Sequence, residues 1–556
     1  MLKRSVTESI ASAWQTLALP EVPVEVRPSE RPEFGDFTTN VALLGAKAAG
    51  TSPMTLAKKF MMGAWSLDDL APAEERLLDP RIFSRIEVAG PGFINLFLTP
   101  RALQGALREI LRDEARIGRS DVGQGKRLQV EFVSSNPTGP LTVGHGRQAV
   151  LGDVVSSLYG LAGFDVTREY YFNDEGRQVD LLAESLWARY RQALGHDAAI
   201  PEEGYQGDYL VEMGRDLAQR LGDRFTALDA PTRERFKEEA VSRIRRWIEE
   251  DLNAIGVAFD VFASEGDLHR AGKVTRALDL LRERGGAYEK DGAVWLAAEA
   301  HGGVKDSVLL RSDGRPTYLL VDIAYHIDKY ERGFDLVLDI QGSDHQTEQS
   351  SMKAAMRILG YPEEFLRYGM HQFVSLKEGE GVARMSTRAG RFVLLGDLLS
   401  ELGRDVVRFF LVARKPEAHL EFDLDLARAQ SQDNPAYYIQ YAHTRIASVL
   451  RKAPAVAIPW AKVDLAPLTS PAELSLVKEL DRFPELVLEA ALGFAPHLVA
   501  EYALGLARSF HAYYADHRIL GEEERVTAAR LALLTALQAT FRRSLDILGL
   551  SAPEAM

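Results

Sequence analysis

Cysteine is absent from all 556 residues. This excludes disulfide scaffolds, thiolate zinc sites and cysteine nucleophiles together, and it fits a reducing compartment. Any metal has to come through oxygen or histidine. Long apolar runs are missing too, since no stretch approaches the roughly 18 residues that a membrane span needs. The opening Met1-Leu2-Lys3-Arg4 is basic, but polar residues recur every two or three places over 5–17, so the apolar core of a signal peptide is lacking. A cytoplasmic protein without membrane contact is expected. An excess of positive charge is also missing. Sixty-six Lys and Arg stand against 80 Asp and Glu, a net charge of −14, which speaks against a surface coated in basic patches while leaving room for a local RNA-binding face. From residue 434 onward there are 12 Lys/Arg against 13 Asp/Glu. Almost all the negative excess therefore lies upstream, and the C-terminal part repels nucleic acid least.

The length suggests three or four domains at about 150 residues each. Residues 1–105 mix helical and strand patterns, with a helix over 2–19, strand-like 22–27, a second helix over 40–60 and a strand pair around 86–98. This reads as an α+β unit. A buried-strand pattern then runs over 127–133, followed by a Pro/Gly loop, a long helix over 144–161 and another strand at 166–172. Strand, helix, strand in so short a span predicts a parallel βαβ unit. A charged helical block over about 181–252 reads as an insertion, after which strand patterns at 294–296, 307–311 and 336–340 are expected to resume the same sheet. Beyond residue 409 nearly everything is helical apart from a Pro-rich loop at 453–471. The expected fold class is multidomain α/β: a Rossmann-type core over 106–365, a connecting helical region over 366–430, and a helical domain over 431–556.

The densest chemical signal is Ser134-Ser135-Asn136-Pro137-Thr138-Gly139-Pro140-Leu141-Thr142-Val143-Gly144-His145-Gly146-Arg147. A strand ends in a tight loop that delivers small residues to a helix N-terminus, where free N–H groups and the helix dipole favour phosphate. Gly144 and Gly146 would let a nucleotide approach the backbone. Thr142 and His145, three apart, would both donate to a triphosphate. Taken alone, the stretch could equally be a Gly/Pro turn with a capping threonine and a surface histidine.

Tyr318 and Asp322 lie four apart, on one face of a helix. A planar guanidinium suits such a pair, with a carboxylate for a bidentate bond and an aromatic ring beside it, although an isolated pair is more often a surface contact. Glu131, at the end of the nucleotide strand, adds a second carboxylate. Tyr441 and Arg445 repeat the spacing with an aromatic ring beside a cation, a pairing used for unpaired RNA bases or, more plainly, for a half-buried helix face. Phe93 and Asn95 alternate along a strand and so point to one side.

The long motif resembles the signature of class I aminoacyl-tRNA synthetases, in the form "NPTGPLHVGHGR" of the arginyl-tRNA synthetase family. The likeness continues through Tyr170-Tyr171-Phe172-Asn173-Asp174-Glu175-Gly176-Arg177-Gln178, Lys305-Asp306-Ser307-Val308, the stretch from Thr317 to His326, and Gly342-Ser343-Asp344-His345. Ala383-Arg384-Met385-Ser386-Thr387-Arg388 fits the family's KMSKS loop. Asn434 to His443 and the closing Ala552-Pro553-Glu554-Ala555-Met556 belong to the same pattern.

The resemblance implies a ligase that joins L-arginine to tRNA(Arg) through an arginyl-adenylate, using ATP with Mg2+, acting on the terminal 2′ hydroxyl, needing bound tRNA for activation, and working as a monomer. It implies ATP contacts from Asn136 through Gly146 (Asn136, Pro137, Thr138, Gly139, Pro140, Leu141, Thr142, Val143, Gly144, His145, Gly146), and catalytic roles for Thr142, Gly144, His145, Arg384, Met385, Ser386 and Arg388. Glu131 and Asp322 would hold the guanidinium with Tyr318 beside it, Asn136 the amino-acid end, and Gln341 would assist. The N-terminal unit, through Phe93 and Asn95, would meet the tRNA elbow; Tyr441, Arg445, Tyr514 and Met556 would meet the anticodon. No protein-held metal site is implied. Two departures stand out: Thr142 replaces the first histidine of "HVGH", and Arg384 replaces the usual lysine. They keep open a tRNA-binding paralogue that has lost the reaction. A class I synthetase for another amino acid is the other alternative, against which the paired acids Glu131 and Asp322 argue.

Overall fold

The computed structural model describes residues 2–29, 31–65, 76–343, 346–379, 381–383, 393–453 and 459–556. The chain opens with the helix Leu2–Thr16, whose buried Val6, Ile10, Ala13 and Trp14 follow the helical period. It packs on a four-stranded antiparallel sheet of Val26–Pro28, Phe37–Thr39, Phe93–Leu98 and Phe83–Ala89, in that spatial order. The single helix expected over 40–60 is two, Val41–Gly45 and Pro53–Ala64. Gly50 takes a left-handed conformation, and Pro53 restarts the helix behind Ser52, whose hydroxyl accepts from the Thr55 N–H at 3.1 Å.

Five strands form the central sheet, all parallel, in the spatial order Leu366–His371, Leu336–Gly342, Arg127–Glu131, Asp165–Phe172, Val261–Ser264. Ranked by their order along the chain, this is 5-4-1-2-3, the doubly wound arrangement. The strand order reverses between the first and fourth strands, where a crevice opens beyond their carboxyl ends. The helix Val143–Leu161 crosses from the first strand to the second with thirteen buried residues, too many for a one-sided stripe.

Several expectations need correction here. The segments at 294–296 and 307–311 do not rejoin the parallel sheet; Ala293–Leu296 pairs antiparallel with Ala287–Lys290 on one side and Ser307–Leu310 on the other, in a separate three-stranded sheet. The strand that follows the helical block is instead Val261–Ser264, which has only four residues, none of them fully buried. The block itself is three helices, Arg177–Ala193, Asp208–Leu221 and Ala230–Ile255, placed in the crossover between the second and third strands. The region 366–430 is not simply helical: it supplies the edge strand Leu366–His371 and a small sheet of Val374–Glu378, Gly381–Ala383 and Leu420–Asp423.

Four long helices close the chain: Pro435–Lys452, Pro471–Leu492, His497–Asp516 and Glu524–Leu548. The N-terminal unit rests on them. The Leu2 N–H donates to Asp481 at 3.1 Å, Lys3 pairs with Glu485 at 2.9 Å, and Arg108 donates to the Ala461 carbonyl at 2.6 Å. A fully buried Arg408 ties three parts together, donating to the Leu548 carbonyl at 2.9 Å, the Ile255 carbonyl at 3.0 Å and the Asp153 carboxylate at 2.5 Å. One guanidinium thus joins the last helix, the end of the helical insertion and the helix behind the Gly-rich loop.

Candidate active site

The central strand stops at Glu131 because the backbone turns sharply: Val133 and Ser134 both have positive φ, 68° and 37°, a conformation uncommon for residues with side chains. The turn aims the Ser134 hydroxyl at Glu131 Oε1, to which it donates at 2.9 Å, while the Ser134 hydroxyl oxygen itself accepts the Tyr171 N–H at 3.1 Å. Ser135 and the Tyr170 hydroxyl meet at 2.7 Å, while Tyr209 from the insertion donates to the Thr138 carbonyl. The loop is therefore anchored from two sides, with Asn136 left exposed at its tip and Pro137 buried.

At the helix N-terminus the structure separates residues that the motif runs together. Leu141 and Val143 are fully buried and line the core, so only their backbone can reach a nucleotide. Gly146 is not open to a ligand: a Cβ there would come within 2.7 Å of Leu395, so this glycine serves close packing. Gly144 has open space, its nearest neighbour being Thr142 Oγ1 at 3.6 Å. Thr142 and His145 face each other before they face any ligand. The Thr142 N–H donates to His145 Nδ1 at 3.1 Å, and the Thr142 hydroxyl lies 3.2 Å from the same nitrogen. Burial pushes the His145 pKa down to about 4, so the imidazole is neutral; with Nδ1 accepting, its proton sits on Nε2. Arg147, quoted in the motif without a role, is fully buried and donates to the carbonyls of Gln372, Lys415 and Ala418.

Across the crevice, the helix Tyr318–Glu331 carries Tyr318 and Asp322 on one face, as the spacing predicts. Tyr318 is exposed. Asp322 is half-exposed, with 45% of its side chain accessible. Behind it lies a set of ionised groups that sequence reasoning missed. His326 Nδ1 is 3.3 Å from the Asp322 carboxylate, and its Nε2 is 2.8 Å from Asp339. Lys329, fully buried one turn further on, donates to Asp339 at 2.9 Å and to Glu131 at 2.6 Å. Burial and the nearby Lys329 oppose charge on His326, but Asp339 and Asp322 outweigh them and push its pKa up to about 10. Burial raises Glu131 to about 7; Lys329 opposes this, and Asp339 and Asp322 reinforce it. The only signal for this set in the sequence is a lysine and a histidine at apolar positions of an amphipathic helix. Gln341, at the end of the fourth strand, accepts from Gln349 at 3.2 Å.

Arg384, Met385, Ser386 and Arg388 lie outside the described residues, as do Asp344 and His345. The segment after that loop returns to the motif: Val143 N–H donates to the Val393 carbonyl, and Leu395 N–H to the Leu141 carbonyl at 2.9 Å. In the C-terminal helices, Tyr441, Arg445 and Tyr514 come together as expected. The Arg445 guanidinium lies 4.5 Å from the Tyr441 ring centre and 5.2 Å from that of Tyr514. They line a cavity of about 550 Å³ to which Lys452, His517 and Arg518 also contribute, three polar groups that the sequence reading passed over. The terminal segment folds back on the same helix, with the Pro553 carbonyl accepting from His443 and Thr444 and leaving Met556 exposed. In the N-terminal sheet Phe93 is 39% exposed, whereas Asn95 is 4% exposed. Asn95, on the central strand between Glu87 and Thr38, is therefore covered and not accessible on that side of the sheet.

The doubly wound sheet with its Gly-rich helix entry defines a class I aminoacyl-tRNA synthetase core, and residues 106–410 match the family "tRNA synthetases class I (R), catalytic domain". Residues 1–98 match "Arginyl tRNA synthetase N terminal domain", and residues 439–556 match "DALR anticodon binding domain". The arginine–tRNA ligase of Thermotoga maritima is 45% identical, covering 100% of this chain and 99% of that protein. The arginine–tRNA ligase of Geobacillus thermodenitrificans is 44% identical, covering 100% and 98%. The solved arginyl-tRNA synthetase of Thermus thermophilus superposes with a TM-score of 0.77 at 25% identity over 100% of both chains. The chain belongs to the arginyl-tRNA synthetase family.

Proposed function

We propose that the crevice at the strand-order reversal binds ATP and L-arginine and joins the arginine to tRNA(Arg) in two steps. The arginine carboxylate attacks the α-phosphate, forming arginyl-adenylate and releasing pyrophosphate. A terminal ribose hydroxyl of the tRNA, the 2′ by family resemblance, then attacks the carbonyl and releases AMP. Neither step needs a side-chain nucleophile, so the protein works by positioning and by stabilising charge. The observation that carries the reading is the carboxylate pair Glu131 and Asp322, tied to each other through Lys329, Asp339 and His326 at the end of the strand that leads into the Gly-rich loop.

In this reading Glu131 and Asp322 bind the guanidinium with Tyr318 alongside, and Asn136 at the loop tip meets the amino-acid end. His145 donates from Nε2 to the triphosphate, held in that tautomer by the Thr142 N–H. Gly144 admits the nucleotide to the helix N-terminus, and by family resemblance Arg384, Met385, Ser386 and Arg388 supply cations and a hydroxyl to the phosphates. No group of three or more His, Asp or Glu able to hold a metal occurs among the described residues. Magnesium would arrive with the nucleotide as Mg–ATP and would neutralise part of the triphosphate charge. Tyr441, Arg445 and Tyr514 form a stacking and cationic face for an anticodon base. By family resemblance the ligase works as a monomer, and the cytoplasm is where charged tRNA is consumed. Arginine-dependent ATP–pyrophosphate exchange, with and without tRNA, tests the reading. Exchange that requires tRNA(Arg) supports it, and no exchange in either condition turns it over to the paralogue.

A further inference from the structure

The groups behind the crevice form a closed charge account. On one side stand three carboxylates, Glu131, Asp322 and Asp339; on the other stand Lys329 and His326. The contacts run in a chain: Glu131 to Lys329 at 2.6 Å, Lys329 to Asp339 at 2.9 Å, Asp339 to His326 at 2.8 Å, and His326 to Asp322 at 3.3 Å. Lys329, His326 and Asp339 are buried and have no route to a substrate, whereas the two ends of the chain open onto the crevice. Fully ionised, the set sums to one negative charge. A buried, uncompensated charge is costly, so the site is complete when one cation arrives, and a guanidinium between the two end carboxylates supplies it.

We propose that Lys329 and Asp339 are positioning residues that set the charge state of Glu131 and thereby the affinity for arginine, with His326 holding Asp322 at the other end. This rests on the assignment of Glu131 and Asp322 to the arginine side chain. Glu131 is the member whose charge is in balance. It accepts from Lys329 and from the Ser134 hydroxyl. Facing it are Asp322, Lys329 and Tyr325 from the helix Tyr318–Glu331, Asp339 from the fourth strand, Tyr171 and Glu169 from the second, and Tyr368 from the edge strand. Glu169 is separately neutralised by Arg332 at 2.7 and 2.8 Å, and the Tyr171 hydroxyl is turned to Glu265 at 2.8 Å. Lys329 and Asp339 therefore dominate, and they act with opposite sign: the lysine favours the carboxylate form of Glu131, and the aspartate disfavours it. Arginine, which needs the carboxylate form, binds more tightly as pH rises through the pKa of Glu131, near 7.

The experiment is calorimetric titration of the intact protein with L-arginine from pH 5.5 to 9, read as the pH at which affinity levels off. Lys329→Met should move that inflection up by one unit or more. Relative to wild type at the same pH, arginine affinity should fall about tenfold at pH 7 and recover to within about threefold at pH 9. Asp339→Asn should move the inflection down, so that affinity is retained at pH 6. Loss of packing alone has no reason to move the two in opposite directions. An unmoved inflection in a folded Lys329→Met protein, or a shift of the same sign in both variants, overturns the inference. Should Lys329→Met fail to fold, the direction of the Asp339→Asn shift decides. Glu131→Gln separates the two levels: it should abolish the inflection, and wild-type binding with an unchanged pH profile would instead overturn the assignment of the arginine pocket.

Discussion

Replacing Asp322 with asparagine removes one of the two carboxylates assigned to the guanidinium while keeping its size. Charge-assisted hydrogen bonds contribute about 1.5–3 kcal/mol each when well desolvated. With 45% of its side chain exposed, Asp322 sits in a wetter setting than a fully buried partner, which lowers the figure to about 1–2 kcal/mol. A second cost arises behind it, because His326 loses one of its two carboxylates but keeps Asp339 at 2.8 Å, so no buried charge is orphaned and the fold should hold. The expected result is a kcat/KM for arginine about 5- to 30-fold lower, at about 1.4 kcal/mol per tenfold, with KM carrying most of the change because the guanidinium lies away from the reacting carboxylate. Arginine-dependent pyrophosphate exchange at saturating ATP and tRNA, over a range of arginine, measures both parameters. Unchanged kinetics in a folded Asp322→Asn protein would refute the placement of the guanidinium, and a loss confined to kcat would refute the uniform-binding argument.

Thr142→Val should slow arginine activation about tenfold, because the hydroxyl beside His145 Nδ1 is lost while the backbone N–H that sets the tautomer stays; Thr142→His should be tolerated, and the opposite ranking in single-turnover exchange would show the loop to be rebuilt. Deleting Ala555 and Met556 should weaken tRNA binding about five- to tenfold, roughly 1–1.4 kcal/mol, with an almost unchanged Tm. The tail's anchors at the Pro553 and Glu554 carbonyls remain in place, so wild-type affinity by filter binding would remove Met556 from the anticodon face. Stability should also depend on pH through His326. Its folded pKa near 10 exceeds the unfolded value of about 6.5, so its contribution is complete below pH 6.5 and is lost as pH rises to 10. His326→Asn should flatten the decline of Tm across that window, and an identical decline would show that the imidazole does not hold the charge assigned to it.

Much of the architecture was legible because it is locally encoded. The strand opening at Arg127, the helix that follows the Gly-rich loop, the strand after it and the four-residue spacing of Tyr318 and Asp322 are all set over short stretches of chain, whereas Pro53 behind Ser52, which breaks the helix expected over 40–60, went unread. The errors fall where local pattern and pairing part company. Ala293–Leu296 and Ser307–Leu310 look like core strands but pair in a side sheet, whereas Val261–Ser264 looks like nothing in particular and still adds the last parallel strand. A strand four residues long carries too little periodicity to reveal its partner. Asn95 fails for a related reason, since alternation tells which side a residue faces but not whether that side is covered.

The sequence by itself placed Thr142 and His145 at a helix N-terminus, Tyr318 and Asp322 on one helix face and Tyr441 beside Arg445, because each of these spacings acts within a single loop or helix. Only the tertiary structure decided what those residues lean on. Lys329 and Glu131 are 198 positions apart, and Arg408 reaches residues 140, 153 and 255 positions away. Ion pairs and hydrogen bonds of that range leave no period in the chain. They exist because the doubly wound sheet brings its first and fourth strands side by side and lays a helix across both, and because charges buried there are stable only when each finds its opposite.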